Sequence, residues 1–107
     1  MKLLKFYSTS CGTCGRMSHY DNKVATELGL EFKSYKVNTE SFNSNSHLLD
    51  NVREERGRVG FPAYVVTDDA GNYKGNVMGG YDKGKFREAL KQVLNGDEAN
   101  TFAPKPG

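Results

Sequence analysis

Both cysteines of this 107-residue chain lie in one short stretch, KFYSTSCGTCGRM over residues 5–17, with Cys11 and Cys14 three positions apart. Ahead of them, KLLKFYS (2–8) is apolar and aromatic enough for a short strand. Behind them, Met17, Tyr20, Val24 and Leu28 recur at helical spacing and Gly29 is a natural stop, so one helix is expected from about Cys11 or Gly12 to Leu28. The chain must then pass from strand to helix through a tight turn of Ser, Thr and Gly, with both sulfurs in that turn. Random placement would give this spacing roughly one time in fifty, so the surroundings decide what the pair does.

The rest of the chain extends the alternation. EFKSYKVN (31–38) reads as a second, more exposed strand, with Phe32 and Val37 among polar neighbours. A second helix is expected to be capped within Ser44–Ser46, to carry Leu48, Leu49 and Val52, and to stop near Gly57. FPAYVVT (61–67) and NYKGNVM (72–78) flank the turn-forming DDAGN and read as an antiparallel hairpin. Asp82 caps a last helix with Phe86, Leu90, Val93 and Leu94 inward and Gly96 beyond its end. The order β-α-β-α-β-β-α predicts an α/β fold: two parallel strands joined by a helix, then a hairpin, forming a mixed four-stranded sheet flanked by helices. Residues 1–95 form the expected domain, and 96–107, GDEANTFAPKPG, a polar and flexible tail.

A chain of this length can fold on one core without disulfide staples. Its 15 basic and 13 acidic residues leave a net charge of +2, and the basic ones are scattered except where Arg53, Arg56 and Arg58 intersperse with Glu54 and Glu55. No nucleic-acid partner is expected. In MKLLKFY, Lys5 interrupts the apolar run and Ser8 ends it, so neither a signal-peptide core nor a membrane span is expected, and a cytoplasmic location is the default. Reducing conditions there keep thiols free, which favours a catalytic or metal-binding pair over a structural one.

The attacking species in disulfide exchange is a thiolate, and unpaired N–H groups at a helix N-terminus lower a thiol's pKa from about 8.5. Cys11, at that terminus, is assigned as nucleophile, and Cys14, on the same helix face, as the resolving thiol. Gly12 leaves the Cys11 sulfur open to a protein substrate, and Thr13 keeps an N–H that can donate to the thiolate. Two alternatives compete. Inert buried thiols fit poorly in a polar STSCGTCG turn. A zinc site needs more ligands than His19 and His47 supply at finger-type spacing, so it would require two chains sharing a metal or an iron–sulfur cluster.

KFYSTSCGTCGRM resembles the active-site segment of the thioredoxin family. KVN (36–38) is similar to the end of that family's next strand, GFPAYVV (60–66) to its cis-proline strand, and MGGYDKGKFREAL (78–90) to its closing strand, glycine and last helix. The resemblance implies a thioredoxin-like fold. Only ten residues precede Cys11, so the N-terminal strand and helix of standard thioredoxins are expected to be missing and the core to be nearer a glutaredoxin in size. It further implies a cis Pro62 beside the cysteines, a Phe61 backbone that pairs with an extended substrate segment, and room for backbone approach at Gly79 and Gly80. The Phe61 side chain then lies at the rim or in the core.

The departures are specific. The family's tryptophan before the first cysteine is Ser10 here, the proline between the cysteines is Thr13, its buried aspartate is Lys5, and its helix-kinking proline is His19. A protonated Lys5 cannot take the aspartate's part as proton acceptor; it would stabilise nearby thiolates, whereas burial would push it toward neutral, and the alternative is that it snorkels to water. Lys36 corresponds to a family lysine near that aspartate, so two cations could modulate the cysteines. His19 is expected to be solvated, and Tyr7 and Tyr20 to belong to the core or its edge.

The function implied is a thiol–disulfide oxidoreductase that reduces protein disulfides. Its redox-active Cys11–Cys14 disulfide would serve with no other cofactor, and a flavoprotein thioredoxin reductase would reduce it. It is expected to act as a monomer, away from membranes. With Thr13 replacing proline, its couple is expected to be more oxidising than thioredoxin's, about −270 mV. A glutathione-dependent, glutaredoxin-like reductase and a metal-holding binding module are the alternatives.

Overall fold

The computed structural model describes residues 1–95. Its centre is β1 (Lys2–Tyr7), flanked by β2 (Glu31–Lys36) in parallel and β3 (Ala63–Thr67) antiparallel, and β4 (Tyr73–Met78) pairs antiparallel with β3. The sheet order is β2-β1-β3-β4. This is the mixed four-stranded sheet expected, with strand ends within two residues of the expected ones.

Alternation along β1 sorts its side chains between two cores. Leu3 packs on one face with Tyr64, Val66 and Val77, while Leu4 and Phe6 pack on the other with Ala63, Val65 and Met78. Both faces are covered, which is why all five residues of β3 are buried. Burying each large apolar side chain contributes about 1.5–3 kcal/mol. Lys5 shares the Leu3 face and is nonetheless buried.

The expected first helix is two helices, α1 (Gly12–Met17) and α2 (Asp21–Glu27). His19 N–H bonds Arg16 O and Tyr20 N–H bonds Met17 O, so the turn tightens to i→i−3 spacing, and Tyr20 leaves helical geometry at φ −142°. The Ser18 hydroxyl donates to Gly15 O. The chain breaks at Ser18–Tyr20 without a proline. Restarting the helix turns Asp21 inward with Val24 and Ala25, while Tyr20 packs at the core edge as expected, its ring against Phe86 and its hydroxyl donating to Tyr81 O.

Sequence reasoning also passed over α3 (Glu40–Asn45). ESFNSN has one apolar residue, Phe42, and hence no helical period; the helix forms because Thr39 Oγ1 accepts from Phe42 N–H at 3.3 Å and Phe42 enters the core. Then α4 (His47–Arg56) buries Leu48, Leu49 and Val52 and ends at Gly57, φ +80°, as expected. Ser46 precedes it in helical geometry without a side-chain cap; its hydroxyl bonds Asn43 O. In the hairpin turn, Asp68 Oδ1 accepts from Ala70 N–H at 3.0 Å and Asn72 N–H at 2.9 Å. Asp82 caps α5 (Lys83–Leu94) through Lys85 N–H at 2.8 Å. Gly96 and the expected tail, 96–107, lie outside the described residues. Among the described residues no helix is long and apolar enough to cross a membrane.

Candidate active site

β1 delivers the chain to a turn at 8–10, after which Cys11 occupies the N-cap of α1 with extended backbone, φ −91° and ψ 106°. Its sulfur accepts from Cys14 N–H at 3.0 Å. The two cysteines are bonded to each other, with Cα atoms 5.2 Å apart, inside the ordinary disulfide range. They are not equivalent. Cys11 is partly exposed, whereas Cys14 is 2% exposed. Because α1 is only six residues long, the field at Cys11 comes from the first-turn amides nearest it rather than from a long helix.

Three loops converge on Cys11. Gly12 is exposed, with open space where a Cβ would stand. The Phe61–Pro62 peptide bond is cis, as the resemblance implies, and the Phe61 carbonyl oxygen lies 3.5 Å from Cys11 Sγ. Phe61 is half-buried, its ring edge-on to Phe42 at 6.0 Å, so it belongs to rim and core at once. Gly79, at φ +102°, donates its N–H to Pro62 O at 3.2 Å and so ties the end of β4 to the proline loop. Gly80 makes the closer approach to the cysteine turn, since a Cβ there would stand 2.8 Å from Thr13 Cγ2.

Beneath the cysteines lies a cluster that sequence reasoning half found. Lys5, 4% exposed, does not snorkel to water. Its Nζ donates to Asp21 Oδ2 at 2.6 Å and to Cys14 O at 3.1 Å. Asp21, 2% exposed, also accepts from Tyr64 Oη at 2.9 Å and from Asn22 N–H at 2.7 Å. Burial first, then the Asp21 charge and hydrogen bond, push the Tyr64 phenol far above its ordinary pKa, so it stays a donor. The Lys5 ammonium also lies 5.5 Å from the Tyr7 ring centroid and 5.9 Å from that of Tyr64. A cleft of about 380 Å³ runs beside the cluster, lined by Lys5, Asp21 and both cysteines.

Asp21 was missed because one continuous helix was expected, and the restart at Asp21 is what turns its side chain inward. The available signal was an acid at helical spacing from Met17 and Val24 combined with a lysine inside an apolar strand. Lys36, in register with Tyr7, is exposed and stands outside this cluster, and His19 is exposed as expected. Among the described residues, no three His, Cys, Asp or Glu side chains gather as a metal site.

Sheet order, flanking helices and the cysteine turn define a thioredoxin-like fold. Thioredoxin 1 from the thermophilic eubacterium Thermosipho africanus TCF52B is a structural neighbour, with a TM-score of 0.57 over 89% of this chain and 96% of that one, at 12% identity. No protein-family model and no curated protein matches the sequence. The likeness is therefore one of fold, and the chemistry has to be argued from the site.

Proposed function

We propose that the protein is a thiol–disulfide oxidoreductase, a protein-disulfide reductase in which Cys11 attacks and Cys14 resolves. The observation that carries this reading is the asymmetry of the bonded pair: Cys11 is partly exposed at a helix N-cap, where its sulfur accepts an amide hydrogen bond, while Cys14 is buried behind it.

In the reduced protein the Cys11 thiolate attacks one sulfur of a substrate disulfide. That S–S bond breaks, one substrate sulfur leaves as thiolate, and a mixed disulfide remains. Cys14 then loses its proton and attacks Cys11 Sγ, the second substrate thiolate departs, and the Cys11–Cys14 disulfide carries away the substrate's two oxidising equivalents. The Phe61 backbone beside Cys11 suits an extended substrate segment, with Gly12, Thr13, Pro62 and Gly79 around the point of attack. No cofactor beyond the cysteine pair enters this scheme. A flavoprotein thioredoxin reductase, a reducing compartment such as the cytoplasm, and monomeric action complete the proposal.

Turbidity of insulin with dithiothreitol as reductant tests it. Wild type should accelerate the reaction, Cys11→Ser should abolish the acceleration, and Cys14→Ser should trap a mixed disulfide. If neither substitution changes the background rate, the redox reading fails. Turnover with glutathione as the sole reductant would move the protein to the glutaredoxin-like alternative.

A further inference from the structure

We propose that Met78 is a positioning residue for the exchange reaction: its thioether sulfur accepts the Gly60 N–H and thereby sets the Phe61 carbonyl that an extended substrate meets beside Cys11. The proposal rests on the thiol–disulfide reading above. Met78 Sδ lies 3.2 Å from Gly60 N, and the carbonyl oxygen of Phe61, the next residue, lies 3.5 Å from Cys11 Sγ. Asn76 and Met78 are two apart on β4 and therefore face the same side of the sheet, the side that α4 covers. Both reach the segment that leaves α4. Arg56 Nε donates to Asn76 Oδ1, Gly60 N–H donates to Met78 Sδ, and Gly79 N–H donates to Pro62 O. The end of β4 thus fastens this segment at Arg56, Gly60 and Pro62 in turn, and Phe61 is held from both sides.

Packing alone does not explain a methionine at this place. Met78 is buried in one core with Ala63, Val65 and Phe42, where leucine would fill nearly the same volume. What leucine lacks is an acceptor. A main-chain N–H facing apolar side chains is costly when unpaired, and a thioether is a weak, polarisable acceptor that can meet it. Gly60 is half-buried between Val59 and Phe61, which both pack against that core. A glycine has the widest choice of backbone angles, so one placed directly before Phe61 lets the Phe61 carbonyl swing unless a group of its own is held. The bond to Met78 holds it. The consequence falls on substrates that use this backbone: a polypeptide disulfide pairs with Phe61 as it presents its sulfur to Cys11, whereas a small aromatic disulfide reaches the same sulfur without that pairing. Met78 touches neither substrate nor cysteine and acts through Gly60 and Phe61.

The test compares reduced wild type with Met78→Leu in single turnover against two disulfides, an extended peptide disulfide carrying a fluorophore and a quencher, and 5,5′-dithiobis(2-nitrobenzoate). In Met78→Leu the ratio of the peptide rate to the small-disulfide rate should fall by about tenfold. Exchange of the Gly60 amide hydrogen with solvent, followed by NMR, should quicken in the same variant. A loss of core packing alone would lower the denaturation midpoint and leave the ratio where it is. An unchanged ratio in the folded variant overturns the positioning role. So does a Gly60 amide that exchanges in wild type as fast as an exposed one, a measurement that needs no variant and decides the case in which Met78→Leu fails to fold. Failure of wild type to react with either disulfide overturns the thiol–disulfide reading itself.

Discussion

The Thr13 methyl group occupies the space that a side chain on Gly80 would need, with only 2.8 Å between Thr13 Cγ2 and the position of a Cβ there. The contact locks the first turn of α1 onto the connection between β4 and α5. Thr13 is β-branched and has little rotamer freedom with which to yield. Gly80→Ala is expected to lower stability by about 1–2 kcal/mol and to slow the Cys11 reaction. In a Thr13→Ser background, where the methyl is gone, the same change should cost much less. Urea unfolding of the four proteins gives the coupling, and a coupling near zero would show that the contact does not hold the turn.

The buried Lys5–Asp21 pair predicts an ordering of stabilities. Lys5→Met alone strips Asp21 of its cation and should destabilise by about 3–5 kcal/mol, whereas adding Asp21→Asn to it should recover much of that loss. Denaturation midpoints at one pH suffice. A single variant as stable as the double would mean that the ion pair contributes nothing to the core.

Burial, as the leading cause, raises the pKa of Tyr20, Tyr64, Tyr73 and Tyr81. Above about pH 10 the phenols of Tyr64 and Tyr73, the most strongly raised, ionise in the unfolded chain while the folded chain keeps their protons, so their contribution is present below pH 10 and is lost as pH rises past it. Stability should decline on the alkaline side, and tyrosinate absorbance from Tyr64 and Tyr73 should appear only as the protein unfolds. Tyr64→Phe loses the hydrogen bond to Asp21, worth about 1.5–3 kcal/mol at neutral pH, yet should flatten the alkaline decline. Equal slopes in wild type and variant would contradict the assignment.

Thr13 carries a further expectation. Its N–H lies in the first turn of α1, beside the Cys14 amide that reaches Cys11 Sγ. A reduction potential less negative than about −270 mV is expected, with Thr13→Pro moving it toward that value. Equilibration with a glutathione couple of known ratio measures both, and a wild-type potential below that figure counts against the idea.

Elements with self-contained local signals were legible in the sequence: the apolar run of β1, the hairpin around Asp68, the Asp82 cap of α5 and the Gly57 stop of α4. The turn chemistry at Cys11 and the glycine beside it were readable for the same reason. What escaped was set by contacts distant in sequence. The break between Met17 and Asp21 has no proline or glycine to announce it and makes sense only once Lys5 and Tyr64 are seen to receive Asp21. The α3 helix rests on one buried phenylalanine and a cap, too little for a periodicity. Lys5 looked anomalous because its partner lies 16 residues away.

The outward-facing character of β2 has a consequence for how these molecules meet one another. This strand closes one side of the sheet, so its outer N–H and C=O groups form a template that a second chain could extend. Glu31, Lys33, Ser34 and Lys36 are all exposed along it, and Lys33 pairs with Glu31 at 3.5 Å. A neighbouring strand seeking that border would have to strip water from a row of charged side chains. The arrangement keeps the sheet at four strands and lets a protein whose proposed work is to engage other polypeptides do so at the cysteine end rather than along its flank.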